Sequence, residues 1–338
     1  MAAKDTMTSN PAPASELDRD VIGSALGYGA GDRGHGGGAD GARAWSAIDV
    51  REVCVSTQDE VRRLAQAAGP DDCGWWLAVA DRQTGGRGRG GASWYSPAAT
   101  ALHLSLGCRL DLPLEMLPRA SIVVGLAVVH LLDQICGVTV GLKWPNDLLI
   151  RGADGRWRKV GGVICIAEPV PGQPTGAATA WFAGIGLNVS TPATSFPAAL
   201  RGHATSLDRP VDGPIDRSFL AGRIARAVRS AVRAWQKAGG ALDLAAIDAA
   251  LCFRGEVVDL DVGAPAVTRA VLDGVDSSGW LRVSPLDRAG HRDEGAQSVL
   301  CRPLAIVAAA SDPPWCAAPK MASPGGCQEN DPRREPST

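Results

Sequence analysis

The chain has 338 residues, and its 34 Lys and Arg against 36 Asp and Glu give a formal charge of −2, so it is long enough for about two domains and has no global basic field to recruit nucleic acid or a membrane. Nine cysteines, an odd number with no CxxC pair among them, fit neither a zinc knuckle nor a disulfide framework and point to a reducing, cytoplasmic compartment. No stretch reads as the run of about 20 apolar residues that crosses a membrane, and Asp5, Glu16, Asp18 and Asp20 stand where a targeting peptide would be apolar or basic.

Residues 1–45 are polar and then glycine-rich, with GYGAGDRGHGGGADG at 27–41; the entropy lost on ordering such a stretch predicts a disordered leader. Ser56 or Thr57 caps a helix whose apolar positions Val61, Leu64, Ala65 and Ala68 recur at helical spacing up to Gly69-Pro70. Residues 75–83 read as a buried strand entering a glycine-rich loop, 100–110 as an alternating strand, and 121–135 as an apolar core helix. VTVGLKWPNDLLI, KVGGVICIAE and TAWFAGIGLNVS read as three successive strands, and 216–238 as an amphipathic helix closed by Gly239-Gly240. Beyond 251, short strands joined by Asp, Ser and Gly turns predict a small β-barrel up to 308, and the proline-rich residues 309–338 read as a disordered tail. The expected architecture is α+β: a mixed sheet packed by helices over 46–250, then a small barrel over 251–308.

Four segments carry candidate chemistry. Gly86-Arg87-Gly88-Arg89-Gly90-Gly91 lies between Gln83 and Trp94; its glycines turn backbone N–H groups toward an anion, and two guanidiniums clamp phosphate or carboxylate oxygens. The competing reading is a flexible RGG-type RNA linker, opposed by the position of this single copy between two apolar strands. In Lys143-Trp144-Pro145-Asn146-Asp147, proline sets a turn that gathers a cation, an amide and a carboxylate, as a nucleotide with a divalent ion requires; a bland hairpin turn explains the same residues. Lys159 precedes Gly161-Gly162, where a ligand or backbone approaches closely, although a strand-start lysine is most often solvated. Gly184-Ile185-Gly186-Leu187-Asn188 leaves room for a flat ligand with Asn188 as its hydrogen-bonding group, or is a plain buried strand.

The order of these segments, from Ser56-Thr57-Gln58 through Gln83, GRGR, Trp94, KWPND and Lys159-x-Gly-Gly to GIGLNV, resembles the biotin protein ligase family over about residues 50–300. Gln58 stands where that family has Asn, Gly90 where a third basic residue is common, and Gly161 where Ala is frequent; GAQSVLCRP lacks the usual acidic Gly-Asp turn. The resemblance implies a class II synthetase-like catalytic domain and ATP-dependent, Mg²⁺-assisted joining of biotin, through biotinyl-5′-AMP, to a lysine of a biotin carboxyl-carrier domain. It further implies that Lys159 bridges the biotin carboxylate and α-phosphate and that Arg89 holds the adenylate phosphate. Ser56, Thr57, Gln58, Gln83, Gly86, Arg87, Gly88, Gly162 and Gly186 then surround biotin and the loop. Trp94, Lys143, Asn146 and Asn188 meet the nucleotide, with Asp147 supporting the metal or the loop. A lipoate or octanoyl ligase and a noncatalytic biotin- or RNA-binding protein are the alternatives. No helix-turn-helix pattern is read in residues 1–48, so DNA binding is not expected.

Overall fold

The computed structural model describes residues 16–27, 45–68, 72–169, 179–208, 214–261, 267–287, 289–292, 299–301 and 305–309. Its main sheet contains β1 (Ala47–Cys54), β2 (Trp76–Gln83), β3 (Ala101–Leu110), β4 (Val140–Lys143), β5 (Asp147–Arg151), β6 (Trp157–Pro169) and β7 (Thr179–Asn188), in spatial order β1-β2-β3-β7-β6-β5-β4. β1 is parallel to β2 and the other pairs are antiparallel, so the sheet is mixed as expected. KWPND is the turn of a β4–β5 hairpin, not the middle of one strand, because the prolyl ring at 145 cannot continue the ladder.

Among the described residues five α-helices accompany the sheet: α1 (Arg19–Leu26), α2 (Thr57–Ala68), α3 (Ala120–Cys136), α4 (Arg217–Lys237) and α5 (Leu244–Ala250). Strand β3 shows how the layers divide. Leu102, Leu104 and Leu106 are fully buried on one face, the face that α3 and α4 cover, while His103 and Ser105 are buried on the other, beneath α2. Both faces are therefore covered, although the strand alternates leucine with His103 and Ser105. α3 lies close to β4: a Cβ at Gly125 would stand 2.8 Å from Leu142 Cδ1. The segment Glu115–Cys136 is long and apolar enough, by length and composition, to cross a membrane, contrary to the expectation from the sequence; half of its most apolar stretch is buried, and packing on the sheet accounts for its composition.

Two further expectations are corrected. Part of the leader is ordered: Asp18 caps α1 by accepting from Asp20 and Val21 N–H at 2.8 and 3.1 Å, Gly27 closes it in the left-handed region, and Ile22, Ala25 and Leu26 are buried against α4. Two turns of helix are too short to persist alone, so this helix exists through its packing. The rest of the leader up to residue 44 and the tail beyond residue 309 lie outside the described residues. In the C-terminal part, β8 (Val257–Asp261), β9 (Val267–Val275), β10 (Leu281–Ser284), β11 (Val299–Cys301) and β12 (Ala305–Ala309) form an antiparallel sheet in the order β11-β10-β9-β8-β12. Among the described residues its end strands do not pair, so the sheet is open where a closed barrel was expected. Its apolar face, including Val258, Leu260, Leu272 and Leu281, joins the same core as the main sheet, which removes the need to curl the sheet on itself. Trp144 Nε1 donates to Gly279 O at 2.9 Å and Cys252 N to Leu142 O at 2.9 Å, so the core is continuous across residue 250.

Candidate active site

Strand register builds the floor of the site. Ala80 is opposite His103, His103 opposite Gly186, Gly186 opposite Gly162, Gly162 opposite Asp147, and Asp147 opposite Lys143. Directly opposed residues share a face, so an imidazole, two positions without side chains, a carboxylate and an ammonium lie in one row. The two glycines leave a bare strip on which Trp94 rests; a Cβ at Gly186 would be only 2.6 Å from Trp94 Cε2. Lys159 Nζ stands 5.5 Å from the Trp94 ring centroid and 2.5 Å from Asp147 Oδ1.

A neighbouring row on the same face, Ser105–Gly184–Ile164, is covered by the first turn of α2. Thr57 N and Oγ1 both donate to Gln83 Oε1, at 2.8 and 3.1 Å, and the Thr57 and Ser105 hydroxyls are 2.8 Å apart. Gln58 Nε2 donates to Ile164 O at 3.3 Å, while its Oε1 is buried without a partner. Ser56, Thr57 and Gln58 are all buried.

The glycine-rich loop closes on itself through Trp94 N to Gly86 O at 2.9 Å and Gly88 N to Ala92 O at 2.6 Å, with Gly90 and Gly91 at positive φ. Its arginines diverge. Arg87 pairs with Asp59 on α2, whereas Arg89 lines a cavity of about 340 Å³ with Trp144, Pro145 and Asn146. The structure thus brings Trp94, Lys159, Asp147, Gly162 and Gly186 together, with Lys143 on the same row, and Ser56, Thr57, Gln58 and Gln83 beside them. It holds Arg87 and Arg89 on two other sides. The two asparagines are engaged in the scaffold: Asn146 Nδ2 donates to Val163 O at 2.9 Å, and Asn188 Nδ2 to Thr205 O at 3.0 Å. A second cavity, about 620 Å³ between Trp75, Arg109, Arg233 and Lys237, contains none of these residues.

Ser96, His103 and Ser105 escaped the sequence reading as site residues. His103 and Ser105 were detectable as polar residues alternating with a leucine face; Ser96 carries no local signal. His103 is 1% exposed, and burial pushes its pKa down to about 4, with nearby Asp81 opposing the shift and Arg217 reinforcing it. Among the described residues no three His, Cys, Asp or Glu side chains converge as a metal cage. Asp147, in the row beside Lys159, suits an Mg²⁺ ion that takes one carboxylate together with phosphate oxygens.

Residues 72–178 match the model of the biotin/lipoate A/B protein ligase family. The biotin--[acetyl-CoA-carboxylase] ligase of Mycobacterium tuberculosis is 34% identical over 200 residues, which cover 57% of this chain and 67% of that protein. The chain belongs to the biotin/lipoate A/B protein ligase family. The bifunctional ligase/repressor BirA of Bacillus subtilis is 33% identical over 167 residues, 49% of this chain and 48% of the relative, so the match spans about half the length of that family member. The biotin protein ligase from Aquifex aeolicus, solved in complex with biotin and ATP, shares the fold at a TM-score of 0.55 and 24% identity, over 76% of this chain and 95% of that one.

Proposed function

We propose that this chain activates biotin with ATP and transfers it to a lysine of the biotin carboxyl-carrier domain of a biotin-dependent carboxylase. The observation that carries the reading is Lys159, presented with Asp147 and Trp94 on a floor of two glycines beside the part-buried Thr57–Gln83 pair. The names of the relatives support the same chemistry. A biotin carboxylate oxygen attacks the α-phosphorus of ATP, the bond to the pyrophosphate oxygen breaks, and pyrophosphate leaves. The neutral amine of the acceptor lysine then attacks the acyl carbon, AMP departs with the broken acyl–oxygen bond, and the amide nitrogen loses its proton.

Each residue has a physical task in this scheme. Lys159 neutralises charge where carboxylate and phosphate meet, the place where a fixed cation lowers the barrier most. Arg89 and Arg87 come to the phosphate and biotin carboxylate as the loop orders, Arg87 exchanging Asp59 for the ligand. Ser56, Thr57, Gln58, Gln83, Gly86, Gly88, Gly162 and Gly186 surround biotin. Trp94, Lys143, Asn146 and Asn188 border the nucleotide, Trp94 by leaving the glycine floor and covering the intermediate against water. Mg²⁺, bound with ATP beside Asp147, supplies neutralisation of the leaving pyrophosphate. The cytoplasm is the compartment we assign, supported by six free cysteines among the described residues.

The test is ATP–pyrophosphate exchange measured with biotin and with lipoate. Exchange that needs biotin and falls about 10² to 10³-fold in Lys159→Ala is expected, the usual cost of losing one transition-state donor. Exchange supported by lipoate alone selects the lipoate-ligase alternative, and no exchange with either acid overturns ligation.

A further inference from the structure

Gln83 ends β2 where the glycine-rich loop departs, and Ser96 lies where that loop returns toward β3. One bond joins the two ends: Gln83 N donates to Ser96 Oγ at 2.9 Å. Ser96 Oγ is in turn 2.6 Å from His103 Nε2, on the floor strand. The contacts run on through Gln83 Oε1 to Thr57 and from Thr57 to Ser105. The base of the loop and the head of α2 are therefore tied to neighbouring positions of β3 by a single set of bonds. His103 is the buried anchor of that set and adjoins Gly186, the residue beneath Trp94.

A proton count fixes how the anchor works. Ser96 and a neutral His103 bring one O–H and one N–H, and their mutual bond uses only one of the two. His103 Nδ1 is buried without a partner. A bare nitrogen in that position costs less than an unpaired N–H, so the proton belongs on Nε2, which donates to Ser96 Oγ. The hydroxyl proton of the half-buried Ser96 is then left for water or ligand. Asp81 from β2 and Arg217 from α4 are the charged groups that act on His103, and they are paired with each other.

We propose that Ser96 and His103 are a positioning pair that staples the base of the Gly86–Trp94 loop to the sheet, so that Arg87, Arg89 and Trp94 close over the acyl-adenylate from a fixed stem. The role in adenylate retention rests on the ligase reading above; the staple itself does not. Loop order and activity therefore need separate measurements, made on the full chain in Ser96→Ala, His103→Leu, His103→Gln and the Ser96→Ala/His103→Leu double variant. Without ligand, trypsin cleavage after Arg87 or Arg89 is expected to accelerate about tenfold in Ser96→Ala and His103→Leu, the effect of about one hydrogen bond. The double variant should be no faster than either single, and His103→Gln, whose amide N–H replaces Nε2–H, should return close to wild type. With biotin and ATP, the adenylate should dissociate faster and KM rise more than kcat falls. Unchanged cleavage in Ser96→Ala and His103→Leu, cleavage in His103→Gln as fast as in His103→Leu, or additive effects in the double variant overturns the staple. Absence of exchange in the wild-type chain sinks the ligase reading instead, while the trypsin result still judges the staple.

Discussion

Lys159 meets a carboxylate before any substrate arrives, and the 2.5 Å pairing with Asp147 holds its ammonium at the edge of the glycine floor. The floor must stay bare for Trp94 to rest there, so Gly186→Ala, whose new methyl would lie 2.6 Å from the indole, should displace the ring. Forced overpacking of this kind costs about 1–3 kcal/mol. A shift in tryptophan fluorescence and at least a severalfold loss of biotin-dependent exchange are expected; an unmoved ring with full activity would remove Trp94 from the site. His103 makes a separate prediction through pH. Its folded pKa, about 4, lies below the ordinary 6.5, because burial penalises the imidazolium. As pH falls through 6.5 the unfolded chain takes up a proton that the folded chain refuses. Stability is therefore fully present above 6.5 and falls toward about pH 4, by about 3 kcal/mol in all for a shift of this size. Urea unfolding at pH 7.5 and 5.0 should show a steeper loss in wild type than in His103→Gln, and equal losses would show that His103 is protonated in the folded chain.

The helices illustrate how an element is made by its surroundings. α4 announces itself in the sequence through Leu220, Ile224, Val228 and Val232, which form one buried stripe, and the structure adds a cap in which Asp216 accepts from Ser218 and Phe219 N–H at 2.8 and 3.0 Å. α1 does not, because eight residues beside a glycine-rich run carry too little signal to outweigh the composition around them. It is held by Ile22, which is fully buried, and by Gly222, where a Cβ would come within 2.5 Å of Ala25 Cβ. Ile22→Ala should accordingly cost about 2–5 kcal/mol, and removing residues 1–27 should lower the melting temperature. A melting curve unchanged by either alteration would return the whole leader to the role its glycines suggest. α2 packs on β1, β2, β3 and β7, and its first turn carries Thr57, bonded to Gln83, and Gln58, bonded to Ile164 O.

At the scale of the molecule the C-terminal sheet is bound to the hairpin that carries Lys143, Asn146 and Asp147. Trp144, buried between the two, donates its indole N–H to Gly279 O. Trp144→Phe preserves most of the packing and leaves that carbonyl without its donor, a loss of about 1–3 kcal/mol. Because the cavity beside Arg89 is walled by Trp144 on one side and by Ser278, Gly279 and Trp280 on the other, the same variant should disturb ATP affinity more than biotin affinity. Calorimetric titration of each ligand checks this, and equal losses would uncouple the C-terminal sheet from the nucleotide side.

The sequence by itself determined the elements with strong periodicity, because side-chain pattern and turn chemistry are local properties: the leucine face of β3, the apolar α3, and α4 with its closing Gly239-Gly240. It also singled out candidate glycines and cations, since GRGR, KWPND and Lys159-x-Gly-Gly place rare combinations of residues at short range. Only the tertiary structure decided which of them meet. Register between strands far apart in the chain sets Gly162 against Gly186 and His103 beside them, and turns Arg87 toward Asp59 and Arg89 toward Trp144. The same long-range packing ordered α1 and left the C-terminal sheet open, its apolar face being covered by the main core. Local sequence encodes φ/ψ preference and amphipathicity, whereas pairing, burial and the divergence of two arginines two residues apart arise only when distant segments exclude water together.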